Sequence, residues 1–314
     1  MNSHDKLVSI IVNCYNSELY INDALDSALS QTYENFEIIV WDNLSTDNTK
    51  EIVNSFKSDK IKYFLSTEHT SLGMARNNAI RHSSGSYIAF LDSDDIWLPT
   101  KLEKQIPEFE DDSIGLVISD TFFFKANKNV RQLYKRKKPP TGYVFKELLT
   151  HYFISLETAV VRREALFGLD YYFDERFEVI EEYDLFVRIS YNWNLAYVDD
   201  VLAKWRIHSN SWTWKKSFLF AKEKKLALKS YLSLFPDFDT HYSQQIIMMQ
   251  HSIAIAEMWY LLSRNDRNKA RRILIPFLFP KSYNLRIHLL YFLLLLPFNT
   301  FPILKKIRYG IWSE

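Results

Sequence analysis

The chain has 314 residues, 47% hydrophobic and 25% charged, with a formal net charge of +1, which is ample material for one large soluble domain or two. It contains 23 Phe, 19 Tyr and 8 Trp but only 6 Gly, and the closest glycines, Gly73 and Gly85, stand too far apart for GxxxxGK(S/T) or GxGxxG. Glycine-cradled phosphate binding is therefore excluded, and the lone Cys14 excludes an internal disulfide and fits a reducing compartment.

The short polar segment Met1–Lys6 offers no apolar core for a secretion signal. Leu7–Cys14 (LVSIIVNC) is a β-branched apolar run of strand length, and Ile21, Ala24, Leu25, Ala28 and Leu29 then recur at helical spacing. Phe36–Trp41 (FEIIVW) predicts the next strand and Asp42–Asp47 a polar loop. Ile52, Val53 and Phe56 mark a short helix, Ile61–Leu65 a third strand, and Ser71–His82 another helix. Ser86–Leu91 (SYIAFL) reads as a strand that ends abruptly in acid. This alternation predicts an α/β fold with a parallel sheet covered by helices, and ligands in such sheets sit beyond the carboxyl ends of the strands.

Further on, Ile114–Phe124 predicts a strand and the cationic stretch Lys125–Pro140 a loop. Thr158–Arg163 and Leu195–Val198 predict further strands, with Glu181–Tyr191 helical between them. After Ser211 the pattern turns to long helices. Ser243–Ser263 carries a single charge, Glu257, and reads as a buried helix. Leu289–Phe298 (LLYFLLLLPF) is the most apolar run, and it is too short for a bilayer needing about 20 residues. A buried hairpin helix is one reading. An interfacial segment is the other, favoured by Lys305, Lys306 and Arg308 just beyond.

Charge divides unevenly. Residues 1–201 hold 21 Lys and Arg against 32 Asp and Glu, whereas residues 202–314 hold 18 against 6. A basic last third beside an acidic body points to an anionic surface or polymer as partner, the alternative being a solvated basic helix face.

The sharpest chemical feature is Asp92-Ser93-Asp94-Asp95, directly after SYIAFL. Carboxylates so close repel one another unless a cation intervenes, and Mg²⁺ or Mn²⁺ on such acids can hold a diphosphate without glycines. The other reading is a solvated acidic turn in which Asp95 caps the helix near Pro99. Together SIIVNCYN, IIVWDNLSTDNT, LGMARNNAI and YIAFLDSDDIWLP resemble the nucleotide-binding half of family 2 glycosyltransferases. The resemblance covers Val8–Leu102 in motif detail and extends more loosely to Trp212. It implies the GT-A fold of bacterial surface-polysaccharide enzymes, a Rossmann-like nucleotide-binding sheet with an acceptor-binding half, followed here by a C-terminal helical region. The domain boundaries expected are 1–212 for the transferase, with 1–110 the nucleotide-sugar half and 111–212 the acceptor half. Residues 213–314 form the basic, aromatic-rich remainder.

The resemblance implies roles for particular residues. Tyr15 would pack on the nucleobase, Asp42 would hydrogen-bond it, and Arg76 would reach the base or phosphates. Asp92 would face the ribose and Asp94 the metal, as the two acids of a DxD motif. The residues by themselves allow milder roles: Tyr15 as a strand-end aromatic, Asp42 closing an Asx turn, Arg76 paired with a neighbouring carboxylate. Two positions depart from the family, Asn13 in place of Pro and Leu44 in place of Gly. The second puts the loop backbone in question, because Leu disfavours positive φ.

Glu181-Glu182-Tyr183-Asp184-Leu185-Phe186-Val187-Arg188 resembles the family's E-D-x-D-L-W-x-R segment, whose second acid is the general base. That position is Glu182, one methylene longer than the usual Asp. Without the resemblance, Glu181 and Glu182 are acids complementing a helix N-terminus, and Asp184 with Arg188 is an i, i+4 pair. Trp205–Ser211 resembles Y-R-x-H-x-x-S, which implies His208 as a metal or diphosphate ligand, or else a structural hydrogen-bonder. Arg206 would oppose leaving-group charge.

The function expected is an inverting glycosyltransferase. It would move a sugar from a nucleotide-diphospho-sugar, UDP-linked by expectation, to a growing glycan or lipid-linked acceptor, with a divalent metal (Mn or Mg). The expected setting is cytoplasmic, peripheral on the inner membrane surface, with no nucleic acid partner. The alternatives are a non-catalytic glycan- or membrane-binding protein on a decayed scaffold, and a nucleotidyltransferase.

Overall fold

A computed structural model describes residues 6–126, 128–208, 216–278 and 284–296. The chain divides into two compact units, Met1–Ser211 and Trp212–Glu314. The first half of unit one alternates as the apolar periodicity predicts: β1 (Val8–Cys14), α1 (Ile21–Leu29), β2 (Phe36–Asp42), α2 (Thr49–Ser55), β3 (Ile61–Leu65), α3 (Leu72–Arg81) and β4 (Tyr87–Asp92). β1 is buried along its whole length between β2 and β4, which is why its apolar run is continuous rather than alternating. α1 turns Ile21, Ala24, Leu25 and Ala28 onto the sheet, and α3 opens on Ser71, whose hydroxyl accepts the Met74 N–H at 3.3 Å.

The chain continues through β5 (Ile96–Trp97), α4 (Lys101–Gln105), β6 (Ile114–Lys125), β7 (Lys128–Gln132), α5 (Phe145–Thr150), β8 (Val160–Arg162), α6 (Arg163–Phe167), α7 (Glu181–Ser190) and β9 (Asn194–Arg206). The described strands form one mixed sheet in the order β3-β2-β1-β4-β8-β6-β9-β5, with β7 paired to β6. β3, β2, β1 and β4 are parallel, and β8 runs antiparallel to both β4 and β6. Strand order reverses direction around β1, so the carboxyl ends of β1 and β4 flank the crevice where α/β sheets take ligands. In register there, Asn13 lies beside Asp92 and Cys14 beside Asp42. Gly85, just ahead of β4, is needed for close approach, because a Cβ there would stand 2.5 Å from the Ser9 amide nitrogen.

Two segments differ from the sequence expectation. Lys128–Gln132, expected within a loop, pairs with β6 as β7. An edge strand needs a partner on one side only and commonly carries charge, so it lacks the apolar alternation that marks interior strands. β9 runs far beyond Leu195–Val198. Its apolar pattern is broken by the exposed Asp199 and Asp200, where its pairing with β6 shifts register around Asp120.

Unit two is helical: α8 (Phe220–Leu234), α9 (Phe238–His241), α10 (Ser243–Ser263), α11 (Arg267–Leu274) and α12 (Leu285–Leu293). α10, α11 and α12 share a small core of Ala254, Met258, Trp259, Ala270, Ile287 and Leu290, among others. α10 is buried on one side only, since Met248 and Tyr260 are exposed. Among the described residues no helix is long and apolar enough to cross a membrane. Lys305, Lys306, Arg308 and the end of the Leu289–Phe298 run lie outside the described residues, as do Ser209, Asn210 and Ser211.

Candidate active site

The loops after β1 and β2 are laced together at the sheet's carboxyl edge. Asn16 donates its amide to Ser45 Oγ at 2.9 Å and accepts from the Thr46 amide at 2.8 Å, and the Glu18 amide donates to Asp47 at 3.0 Å. Tyr15 stands out of this loop, 45% exposed, with its ring 4.2 Å from that of His69 at a 46° tilt. Asp42 is fully buried. Its Oδ1 accepts from the Ser45 amide, three residues on, at 2.7 Å, and its Oδ2 accepts from the Tyr63 hydroxyl at 2.7 Å.

Leu44 holds φ at +72°, so the loop keeps the left-handed turn that glycine usually supplies. Because this conformation costs an L-residue about 1–2 kcal/mol, we expect Leu44→Gly to stabilise the fold by about 0.5–1 kcal/mol after the entropy of the unfolded glycine is charged. Chemical denaturation checks this, and an unchanged midpoint would mean that the turn is unstrained.

The acidic turn sits where β4 ends. Asp92, Asp94 and Asp95 each bring a carboxylate oxygen within 4.8 Å of the others. Asp95 is buried. Its Oδ1 accepts the Arg206 amide at 2.8 Å, and its Oδ2 has no partner among the described residues. Burial, and then the Asp94, Glu157 and Asp92 charges, push its pKa well up. The N-cap position of α4 belongs to Thr100, so Asp95 does not cap that helix. His208 Nε2 lies 2.7 Å from Asp94 Oδ2, and its buried Nδ1 has no partner among the described residues. Arg206 fastens the turn from β9: Nε donates to the Asp94 carbonyl at 2.7 Å and a terminal nitrogen to Asp23 at 2.8 Å. Its guanidinium lies between the Tyr20 and Phe124 rings at 4.5 and 4.6 Å. Three converging carboxylates, one with an orphaned buried oxygen, fit a divalent cation.

Arg76 joins this turn to the second half of the sheet. Its guanidinium donates to Asp92 Oδ1 at 2.8 Å and to Glu181 Oε1 at 2.9 Å, and the residue is 2% exposed. Burial works against its charge, but Asp92 and Glu181 outweigh burial and raise the pKa further. The arginine is thus enclosed between carboxylates rather than reaching outward. The clamp brings the first turn of α7 against the acidic turn. Glu182, next in the chain, is half-buried and accepts the Tyr152 hydroxyl at 3.0 Å. Burial, followed by the Glu181 charge, pushes Glu182 up to about 8, against the opposing pull of Arg76. Asp184 and Arg188 form the expected i, i+4 pair at 2.8 Å, and Arg188 also holds the Tyr171 carbonyl at 2.6 Å.

The structure therefore brings Arg76, Asp92, Asp94, His208 and the neighbourhood of Glu182 together, with Tyr15 just after β1 and Asp42 at the end of β2. Sequence reasoning did not find Tyr152, Tyr63 or the ligand-like placement of Asp95. Tyr152 lies 30 residues from Glu182 in the chain, and a lone tyrosine carries no spacing signal. Asp95 was visible in the motif, but its orphaned oxygen was not.

Residues 9–167 match the family model described as Glycosyl transferase family 2. The chain is 32% identical over 209 residues to the Escherichia coli UDP-Glc:alpha-D-GlcNAc-diphosphoundecaprenol beta-1,3-glucosyltransferase WfgD, covering 66% of this chain and 79% of the relative. Among solved structures, S. aureus TarS 1–349 in complex with UDP-GlcNAc superposes with a TM-score of 0.56 at 19% identity, over 85% of this chain and 87% of that one. The mannosyltransferase PcManGT from Pyrobaculum calidifontis, in complex with GDP-Man and Mn²⁺, superposes at 0.63 and 17% identity, over 98% of this chain and 88% of that one.

Proposed function

Since the chain belongs to glycosyl transferase family 2 and is a glycosyltransferase, we propose that it is an inverting, metal-assisted enzyme that moves a sugar from UDP to a hydroxyl of a lipid-linked glycan. The observation that carries this reading is the Arg76 clamp, which ties the strand-end acid Asp92 to Glu181 and so sets Glu182 beside the donor turn. A carboxylate poised near 8 and steadied by the Tyr152 hydroxyl is a base matched to its task at neutral to mildly alkaline pH.

In the transfer, Glu182 accepts the proton of the acceptor hydroxyl as that oxygen bonds to the anomeric carbon. The bond from that carbon to the diphosphate breaks on the opposite face, and its electron pair leaves with the nucleoside diphosphate. Tyr15 stacks on the base. Asp42 hydrogen-bonds the base through a remaining lone pair, for which the loop over its buried carboxylate must open. Asp92, oriented by Arg76, faces the ribose. A divalent cation, Mn²⁺ or Mg²⁺, held by Asp94 with His208 and the flanking acids, would neutralise charge developing on the leaving diphosphate. His208 favours manganese, because imidazole suits it better than magnesium. The E. coli relative is named for a diphosphoundecaprenol-linked acceptor, which supports a lipid-diphosphate acceptor here, and with it we place the enzyme peripherally on the cytoplasmic face of a membrane.

Calorimetry with UDP tests the donor half. UDP is expected to bind at least ~10-fold more tightly with Mn²⁺ than in EDTA, and Asp94→Asn is expected to remove that difference. Equal affinity in EDTA would sink the metal-assisted reading, and preference for another nucleotide would sink the UDP assignment.

A further inference from the structure

In sequence, Arg267 to Leu296 contains no Asp or Glu, and residues 267–314 as a whole hold nine Lys and Arg against the single acid Glu314. Within that stretch α12 is apolar on two opposite faces. Ile287, Leu290 and Leu294, spaced three and four apart, are buried against α10 and α11. Leu285, Leu289, Phe292 and Leu295, spaced four and three apart, form a second stripe and are 70%, 53%, 59% and 48% exposed. A helix that buries one apolar face ordinarily turns polar residues to water, and α12 does not.

Helices α11 and α12 both carry cations. Arg286 is exposed on α12 itself, and α11 carries Lys269, Arg271 and Arg272. Arg267 ties the two helices together by donating to the Leu294 carbonyl at 3.0 Å, at the end of α12. Charge decides what covers the stripe. A second copy packed through the same face would set mostly cations against cations, since the acid Asp266 is already paired with Lys269 at 3.0 Å, whereas an anionic lipid surface takes both the apolar stripe and the remaining positive charge.

We infer that α12 lies in the plane of an anionic membrane surface, with Leu285, Leu289, Phe292 and Leu295 inserted among the acyl chains and the cations of α11 and α12 on the headgroups. The inference deepens the lipid-linked-acceptor reading and rests on it for its setting, since a soluble chain that reaches a membrane-held acceptor gains from a surface anchor. Binding through α12, an interfacial helix with cations about it, is expected to be reversible and salt-sensitive.

Co-sedimentation of the full chain with vesicles tests it. Phosphatidylcholine vesicles with about a third phosphatidylglycerol are expected to bind the protein at about 0.1 M salt, and pure phosphatidylcholine much less. Leu289→Ser with Phe292→Ser is expected to weaken binding at least ~10-fold, and Arg271→Gln with Arg272→Gln to weaken it mainly on the anionic vesicles. Leu289, Phe292 and Arg272 are exposed and Arg271 is half-buried, and an unchanged melting curve verifies that both pairs fold. Absence of binding to the anionic vesicles, or wild-type binding by the serine pair, overturns the inference. So does a concentration-dependent dimer that the serine pair dissolves, which would make a second copy the occupant. Vesicle binding is read without nucleotide, so its failure is separable from failure of metal-dependent UDP binding.

Discussion

Glu182→Gln is expected to lower sugar transfer by about 10²–10⁴-fold while leaving UDP and Mn²⁺ binding close to wild type, because the amide keeps the shape of the side chain but cannot accept the acceptor's proton. Its pH behaviour separates this role from a structural one. Wild-type kcat/KM should climb as Glu182 loses its proton and level off above about pH 8. The residual rate of the variant should lack that limb. Stability should move the other way. A carboxyl whose pKa rises on folding is protonated in the native state where the unfolded chain has already ionised. Stability is therefore lost as pH climbs from the ordinary Glu range toward the folded value. Glutamine does not titrate, so in EDTA at pH 8 the variant should be more stable than wild type, by up to about 4 kcal/mol. Near-normal turnover by the variant, measured with the donor that the calorimetry selects, would remove Glu182 from the base role.

Arg76→Met should be the most damaging single change to the fold of unit one. The arginine is the partner of both Asp92 and Glu181 and lies at the centre of the clamp. Breaking a buried pair by removing one member strands the other charge, at a cost of about 3–5 kcal/mol, and here two carboxylates are released at once. Asp92 is a third exposed and can rehydrate, whereas Glu181 is 6% exposed and must take up a proton or move. Arg76→Lys keeps a charge but lacks the planar fork that reaches two carboxylates, so it should recover only part of the loss. Combining Arg76→Met with Glu181→Gln should cost less than Arg76→Met alone, because the stranded charge is gone. Urea denaturation of the single and double variants measures each step. A loss below about 1 kcal/mol for Arg76→Met would mean that the clamp is a solvated contact rather than a buried one.

Much of the first half was legible because its signals are local. A continuous β-branched run specifies a strand buried on both faces, and helical spacing of Ile21, Ala24, Leu25 and Ala28 specifies the face that covers it. The acid at the end of SYIAFL marked the ligand edge, since parallel strands deliver their carboxyl ends to the crevice. Leu44 was legible as a conflict, and the structure carries that conflict as a positive φ. β7 escaped because edge pairing is made by backbone groups that sequence does not display, and the length of β9 escaped because two aspartates at a register shift imitate a loop.

The site divides along the same line. Sequence alone determined which residue types stand at the strand ends: Tyr15, Asp42, the Asp92–Asp95 turn, the acidic start of α7 and His208. It also determined that no glycine loop could hold a diphosphate. Only the tertiary structure decided which of these meet. Arg76 and Glu181 are 105 residues apart, and His208 and Asp94 are 114 apart. Contacts of that range follow from how β4, α7 and β9 are ordered in one sheet-centred unit, and periodicity within a segment carries no information about that order. The pKa of Glu182 belongs to the same class, because desolvation by neighbours from distant segments raises it.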